Sequence, residues 1–458
     1  MAQAPLTAES LTPLMRAHLS PAAVCVSAER GALGNGQETW FLEVDEDGTR
    51  RELVLRRSAD GSLGWTDRAR EFEVMRAVRP HGLPVPEVLW LETEPSALER
   101  PYFVMERAQG GSLGRAEPST REAVARRIGE ALARLHALPL GSLGLTGPAP
   151  ADGVAGAAAE LGRWRERYLS ERLEPVPLLG ALIAWLESNV PAAEAPVVLL
   201  WGDPGPHNVL VANGELTALL DWELSHLGHP LDDLGACLWA ARGQIDGEHV
   251  LQAYERSAGG SVDRTALRWF ECLACVSRSV MVIEGMRAFI EGRSSRPGLA
   301  GLGLELLSEN LARAARLAGW PEPGREPAEL PPGAPVLRPD ETELARGLAR
   351  FLTEDVIPAL DDRALRRGLK ETAALIETLA LRGRLEPALR DRRVAAEGRL
   401  REELEHAGLD WRDLEEAAAE VERREELAPL RAAVRQHLLE DLELVRRLIA
   451  PLHALYTR

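Results

Sequence analysis

Lysine is almost missing from this 458-residue chain: Lys370 alone carries an ε-amine, and the other 53 of the 54 basic residues are arginine. Any task that usually falls to lysine must fall here to a guanidinium or to nothing. Cysteine is scarce as well, and four residues in so long a chain exclude a disulfide framework. Cys272 and Cys275 form a C-x-x-C in an apolar stretch with no matching second pair, so they read as small buried thiols. Aromatic residues make up only 5% while Ala, Leu and Arg abound, which points to a helix-rich protein. There is no run of about 18 apolar residues, and the polar, helical N-terminal stretch lacks a signal-peptide core, so a soluble cytoplasmic protein is expected. Basic residues are outnumbered by 71 acidic ones, and the formal charge of −17 argues against nucleic acid or an anionic membrane as the main partner. An anionic substrate would need a local arginine cluster or metal ions. Hydrophobic residues at 45% supply ample core, and at ~150 residues per domain the length suggests two or three domains.

After an N-terminal helix, residues 24–107 read mostly as strand. Thr39–Val44 and Glu52–Arg56 are short runs of β-formers joined by a turn at Asp45–Gly48. A helix at Asp67–Val78 puts Phe72, Met75 and Val78 on one face, and two more strands follow at Val88–Leu91 and Tyr102–Glu106. From about Thr120 the chain turns helical, with amphipathic stretches at Arg121–Leu138, Gly156–Leu169, Leu178–Asn189, Gly247–Ser257 and Arg264–Gly292. One β-like island, Val197–Asp221, interrupts them and contains the hairpin signal Asn213-Gly214. The proline-dense stretch 321–339 reads as a linker, and residues 340–458 as a separate helical bundle broken near Pro358, Gly383, Gly408 and Pro429.

The β-island carries the chemistry. Asp203-Pro-Gly-Pro-His-Asn208 is an Asp-x4-Asn on a tight loop, and a hairpin then delivers Asp221. Phosphoryl transfer from a nucleotide needs one carboxylate for the attacking hydroxyl, an amide or carboxylate for magnesium, and a second carboxylate to bridge metal and phosphates. This ordered set supplies those groups, and the apolar strands around it would hold the loop rigid. An Asx-capped hairpin between helices is the plainer alternative.

Taken with these motifs, residues 20–320 resemble the aminoglycoside phosphotransferase and choline kinase-like family, particularly the kinase domains related to those fused to acyl-CoA dehydrogenases. The resemblance implies an α+β, two-lobed protein-kinase-like fold, with a β-rich nucleotide-binding N-lobe at 1–107 and a helical C-lobe at 108–320; the linker and the all-α bundle at 340–458 follow it, the bundle resembling an uncharacterised helical domain associated with such kinases. It implies that Asp203 is the catalytic aspartate, that Asn208 and Asp221 hold Mg²⁺, and that Asp233 ties down the catalytic loop. The loop Gly31–Gly36, with Gly34, Asn35 and Gly36, lies where such kinases cover the phosphates of ATP. Arg56 takes the place of the usual phosphate-gripping lysine, which a bidentate guanidinium suits. Glu71 would orient it as an ion pair, with Glu73 competing for that role. Met105, the Glu106 carbonyl and the Ala108 amide match the adenine-binding hinge. His136 reads as a core or capping histidine. The chain departs from the family pattern at Trp201, where a histidine usually braces the loop, and at His229, where an aspartate is common.

The acceptor is less legible. Leu267–Gly292, with Trp269, Arg278, Met281 and Arg287, and the segment around Ala151–Arg167 occupy the positions of the family's substrate helices. Glu271 and Glu284 are balanced by arginines, which disfavours a polycation and leaves a neutral or anionic hydroxylated metabolite, a hydroxyacyl-CoA among the candidates. An antibiotic kinase and a catalytically inactive nucleotide-binding scaffold are the alternatives. The C-terminal bundle shows no catalytic pattern and reads as a homodimerisation or docking element.

Overall fold

A computed structural model describes residues 6–31, 37–58, 68–93, 98–114, 116–145, 149–192, 194–291, 293–294, 298–321, 341–410 and 412–448. Gly34, Asn35 and Gly36 of the expected phosphate loop, and nearly all of the linker, lie outside the described residues. The chain folds as two compact units, Met1–Ala157 with Ala193–Leu267, and Ala158–Ala192 with Arg268–Arg458.

The first unit begins with α1 (Ala8–His18), opened by a reciprocal Thr7–Ser10 capping box. Strands β1 (Val24–Arg30), β2 (Gln37–Glu46), β3 (Thr49–Ser58), β4 (Val88–Glu92) and β5 (Tyr102–Glu106) form one antiparallel sheet in the order β1-β2-β3-β5-β4. The β2–β3 hairpin turns at Asp47 (φ 53°) and Gly48 (φ 81°), a two-residue turn that needs both in the left-handed region. Helix α2 (Arg68–Val78) is inserted between β3 and β4.

Strand alternation sorts the side chains of this sheet. Trp40, Leu42, Leu53, Leu55, Tyr102 and Val104 share one buried cluster with Leu11 and Met15 of α1. Val54, Arg56 and Phe103 must then point the other way, where Phe103 meets Phe72 of α2 edge-on at 6.1 Å. A one-residue slip would exchange Arg56 for Arg57, which pairs with Glu38 instead.

Helix α3 (Pro118–His136) follows the two-residue strand β6 (Gly111–Ser112) and precedes α4 (Gly153–Glu171) and α5 (Pro177–Ser188). Then come β7 (Val198–Leu200), β8 (Val209–Ala212), β9 (Glu215–Leu219), β10 (His226–Gly228), α6 (Pro230–Ala240) and α7 (Gly247–Ala258). The β8–β9 hairpin turns at Asn213-Gly214, both at positive φ, as their sequence signals. β6 extends that hairpin to three strands, and β7 pairs with β10. Gly129 lets α3 lie so close to α7 that a Cβ there would sit 2.2 Å from the Val250 carbonyl oxygen.

The second unit takes in most of α4 and α8 (Arg264–Ile290), together with α5, α9 (Gly298–Leu317), α10 (Glu341–Arg350), α11 (Arg363–His406), α12 (Leu414–Arg423) and α13 (Arg431–Leu448). Here packing departs from the boundaries expected at 107, 320 and 340. α5 packs against α12, and α9 against α11 and α13, so helices on either side of the proline-dense stretch share one unit. The break expected near Gly383 is absent, since α11 runs through it for 44 residues. A helical glycine costs about 1 kcal/mol relative to alanine, too little by itself to end a long helix. The α-helices do break near Pro358, Gly408 and Pro429. Among the described residues no helix is long and apolar enough to cross a membrane.

Candidate active site

β7 ends at Leu200, and the next two backbone amides need acceptors away from any strand. Asp233, in the first turn of α6 and 1% exposed, provides both: the Trp201 N–H donates to Oδ2 and the Gly202 N–H to Oδ1, each at 2.8 Å. His136 Nε2 lies 3.1 Å from Oδ2, and its Nδ1 lies 2.9 Å from the Tyr254 hydroxyl. His136 is thus a core histidine on the loop anchor. Gly202 has φ 90°, and a Cβ there would come within 2.2 Å of the Leu224 carbonyl oxygen, so glycine is required. The Trp201 indole donates to the Leu220 carbonyl at 2.9 Å and stacks on Trp222 with ring centroids 5.6 Å apart. The Leu220 N–H in turn donates to the Asn208 carbonyl at 2.8 Å. These bonds stitch the loop of Asp203 and Asn208 to the end of the hairpin that carries Asp221.

Asn208 Nδ2 donates to Oδ2 of Asp203 at 2.9 Å and to its main-chain carbonyl at 3.0 Å, which turns the amide oxygen the other way. His207 Nε2 approaches the same Oδ2 at 3.1 Å. Asp221 has φ 61°, uncommon for a residue with a side chain. Its Oδ1 accepts from Arg56 Nη2 at 3.0 Å, while Arg56 Nη1 donates to Oε1 of Glu71. Glu71, the carboxylate bonded to Arg56, is fully buried, whereas Glu73 is half-buried. Asp203, Asn208, Asp221, Arg56 and Glu71 are brought together by these hydrogen bonds and the backbone step from Leu220 to Asp221.

Two residues of this network had no role assigned from sequence. Arg68 donates to Oε2 of Glu71 and, through Nη2, to Oε2 of Glu223 at 2.7 Å. The only local signal was spacing, since Arg68 lies three residues before Glu71 on the same helix face. Burial pushes the Glu223 carboxyl up to about 7, reinforced by the negative charges of Asp221 and Glu71 and opposed by Arg68 and Arg56. Burial also raises Glu71, against the pull of both arginines. For Arg56 burial works against the charge, but Glu71, Asp221 and Glu223 outweigh it and raise its pKa.

Among the described residues no three His, Cys, Asp or Glu side chains converge as a metal cage. The oxygens of Asn208 and Asp221 nevertheless suit Mg²⁺, a hard cation that keeps several waters and takes the rest of its shell from phosphates. At the expected hinge Met105 is buried, and Glu106 and Ala108 line a cavity of about 350 Å³ together with Arg79, Glu87, Gln109 and Thr217.

A family model described as the phosphotransferase enzyme family matches residues 28–270, a span that holds every residue of this network. This chain belongs to the phosphotransferase enzyme family. The phosphotransferase has a protein-kinase-like fold. A solved Ralstonia eutropha structure assigned to the aminoglycoside phosphotransferases superposes with a TM-score of 0.54 at 21% identity, covering 68% of this chain and 98% of that one. Acyl-CoA dehydrogenase family member 11 of Gallus gallus is 34% identical over 218 residues, 46% of this chain and 27% of that protein. Hygromycin-B 4-O-kinase of Escherichia coli is 24% identical over 356 residues, 73% of this chain and 89% of that protein. The chain spans about a quarter of the length of the curated acyl-CoA dehydrogenase relatives that it matches.

Of the positions considered for the acceptor, Trp269, Arg278 and Glu284 are buried within the second unit. The Trp269 indole donates to the Leu186 carbonyl at 3.0 Å, and Arg167 grips Glu284 with bonds of 2.6 and 3.1 Å. Glu271 is paired with Arg313. All four cysteines are buried free thiols, and burial raises Cys272 far above its ordinary value.

Proposed function

We propose that this phosphotransferase moves the γ-phosphoryl group of ATP, with Mg²⁺, onto a hydroxyl of a small metabolite. Asp203 orients the acceptor O–H and takes its proton as the acceptor oxygen bonds to the γ-phosphorus and the bond to the β,γ-bridging oxygen breaks. Asn208 and Asp221 would hold Mg²⁺, which when bound offsets the charge of the β- and γ-phosphates. Arg56, held from both sides, presents its guanidinium to the phosphates without loss of conformational freedom on binding. Asp233 and Trp201 keep the loop rigid, and Met105, Glu106 and Ala108 receive the adenine. Gly34, Asn35 and Gly36 would cover the phosphates with backbone N–H groups. The observation that carries this reading is the position of Arg56, clasped between Glu71 and Asp221 in the same network as Asn208 and Asp203.

For the acceptor, the relatives named as acyl-CoA dehydrogenase family members favour a hydroxyacyl-CoA thioester, and the match to a hygromycin-B 4-O-kinase favours a hydroxylated antibiotic. The higher identity to the acyl-CoA dehydrogenase family members, 34% against 24%, tilts the choice toward the thioester. The test is a library of hydroxyacyl-CoAs and hydroxylated antibiotics incubated with Mg-ATP, read as a mass gain of one phosphoryl group. Asp203→Asn should lower turnover by about 10²–10⁴-fold, the range for loss of a general base. Normal turnover in that variant would overturn the role of Asp203, and no ATP-dependent thermal shift or hydrolysis would favour an inactive scaffold.

A further inference from the structure

The ion pair of Arg56 and Glu71 closes into a ring that the phosphotransfer reading does not require. Both oxygens of Glu71 are used, Oε1 by Arg56 and Oε2 by Arg68. Arg68 reaches on to Glu223, which is joined through Trp222 to Asp221, and Asp221 returns to Arg56. The side chains of Glu71 and Arg68 are 0% and 1% exposed, and that of Glu223 is 14% exposed.

We propose that Arg68 is a positioning residue that locks α2 to the Asp221–Glu223 segment, so that Arg56 and Asp221 reach their phosphate- and metal-facing positions together. The inference rests on the proposed phosphotransfer site. Three physical points carry it. First, a buried ion pair gains little net stability over an apolar pair of similar size, so a second buried arginine beside Glu71 is poorly explained by stability alone. Second, Asp221 sits at φ 61°, a strained conformation that persists where the surroundings over-determine it. Arg56 pins its side chain, and Arg68 pins Glu223 two residues further on. Third, Arg68 lies three residues before Glu71 on α2, so its bond to Glu223 ties down the same helix that carries the partner of Arg56. If α2 moves, Arg68 leaves Glu223 and Glu71 leaves Arg56 in the same motion.

The test uses the full chain and four variants: Arg68→Met, Arg68→Lys, Glu223→Gln, and Arg68→Met with Glu223→Gln. Mg-ATP affinity is measured by titration calorimetry, the KM and kcat of Mg-ATP hydrolysis by phosphate release, and melting without nucleotide as the folding control. Arg68→Met is expected to weaken Mg-ATP binding about tenfold, the size of one coupled charged contact, with Arg68→Lys recovering part of it. The double variant should be no worse than Arg68→Met, because both changes break the same link. If Arg68→Met does not fold, Glu223→Gln carries the test from the more exposed partner and should itself raise KM several-fold. Near-normal affinity in the single variants, or losses that add in the double variant, would overturn the inference and leave the phosphotransfer reading intact. A wild-type chain that binds no Mg-ATP would overturn that reading itself.

Discussion

An Asp233→Asn substitution keeps the volume of the loop anchor and removes one of its two acceptor oxygens. In the wild type three donors converge on this carboxylate, two buried and one part-buried: the amides of Trp201 and Gly202 at 2.8 Å, and His136 Nε2 at 3.1 Å. That pattern calls for His136 protonated on Nε2, with the Tyr254 hydroxyl donating to Nδ1. An asparagine can accept on one oxygen only, so at least one N–H would face an NH₂ group. Leaving such a donor unsatisfied costs about 1–3 kcal/mol, and the remaining bonds lose their charge assistance, so about 3–5 kcal/mol is expected in all. Against a typical total of about 5–15 kcal/mol this is a large fraction. Urea unfolding followed by tryptophan fluorescence should report it, since Trp201 and Trp222 are both 0% exposed beside the anchor. Hydrolysis of Mg-ATP should fall by about 10² as well, because a small displacement of Asp203 misaligns in-line attack. A variant within about 1 kcal/mol of wild type with unchanged hydrolysis would refute the reasoning, because the three donors would then have found other acceptors.

Arg56→Lys should lower Mg-ATP affinity about tenfold: a single ammonium cannot span Glu71 and Asp221 as the guanidinium does, and one charge-assisted bond is lost. Calorimetric titration checks this, and unchanged affinity would show that the fork geometry is not used. The pH dependence of stability offers a separate check at His229, whose Nδ1 accepts from the Leu231 N–H at the start of α6. Burial lowers its pKa from 6.5 to about 4, with His136 adding to the effect and Asp232 opposing it. The unfolded chain therefore takes up the proton first, so stability is complete above pH 6.5 and declines as pH falls toward 4. The full decline amounts to about 3 kcal/mol. His229→Asn keeps a good N-cap without a titrating group and should flatten melting temperature over that interval, whereas parallel profiles would exclude His229 as the cause.

Much of the site was legible because its signals are local. The runs of β-formers at β2, β3 and β5, the Asn213-Gly214 turn and the Asp203–Asn208–Asp221 spacing all lie within short windows. Strand parity then decides that Arg56 and not Arg57 faces α2, and helix phase favours Glu71 over Glu73. Ladders of two or three residues, β6 and β10, are too short to show a period. Arg68 and Glu223 make their decisive contact across the fold, and beyond the three-residue spacing of Arg68 to Glu71 no window around them announces a role. The helical region misled in a different way. Gly383 looked like a stop, yet α11 continues through it, and the proline-dense stretch looked like a domain boundary, yet helices from both sides of it pack into one unit.

A guanidinium where an amine is customary also changes what can be done to this protein chemically. Acetylation, which silences an ε-amine reversibly, has no substrate at position 56, and acyl-phosphate nucleotide probes that tag such amines would pass through leaving no mark there. The one ε-amine in the chain lies on the exposed side of α11, so any label these reagents leave on a lysine reports on Lys370 and not on nucleotide occupancy.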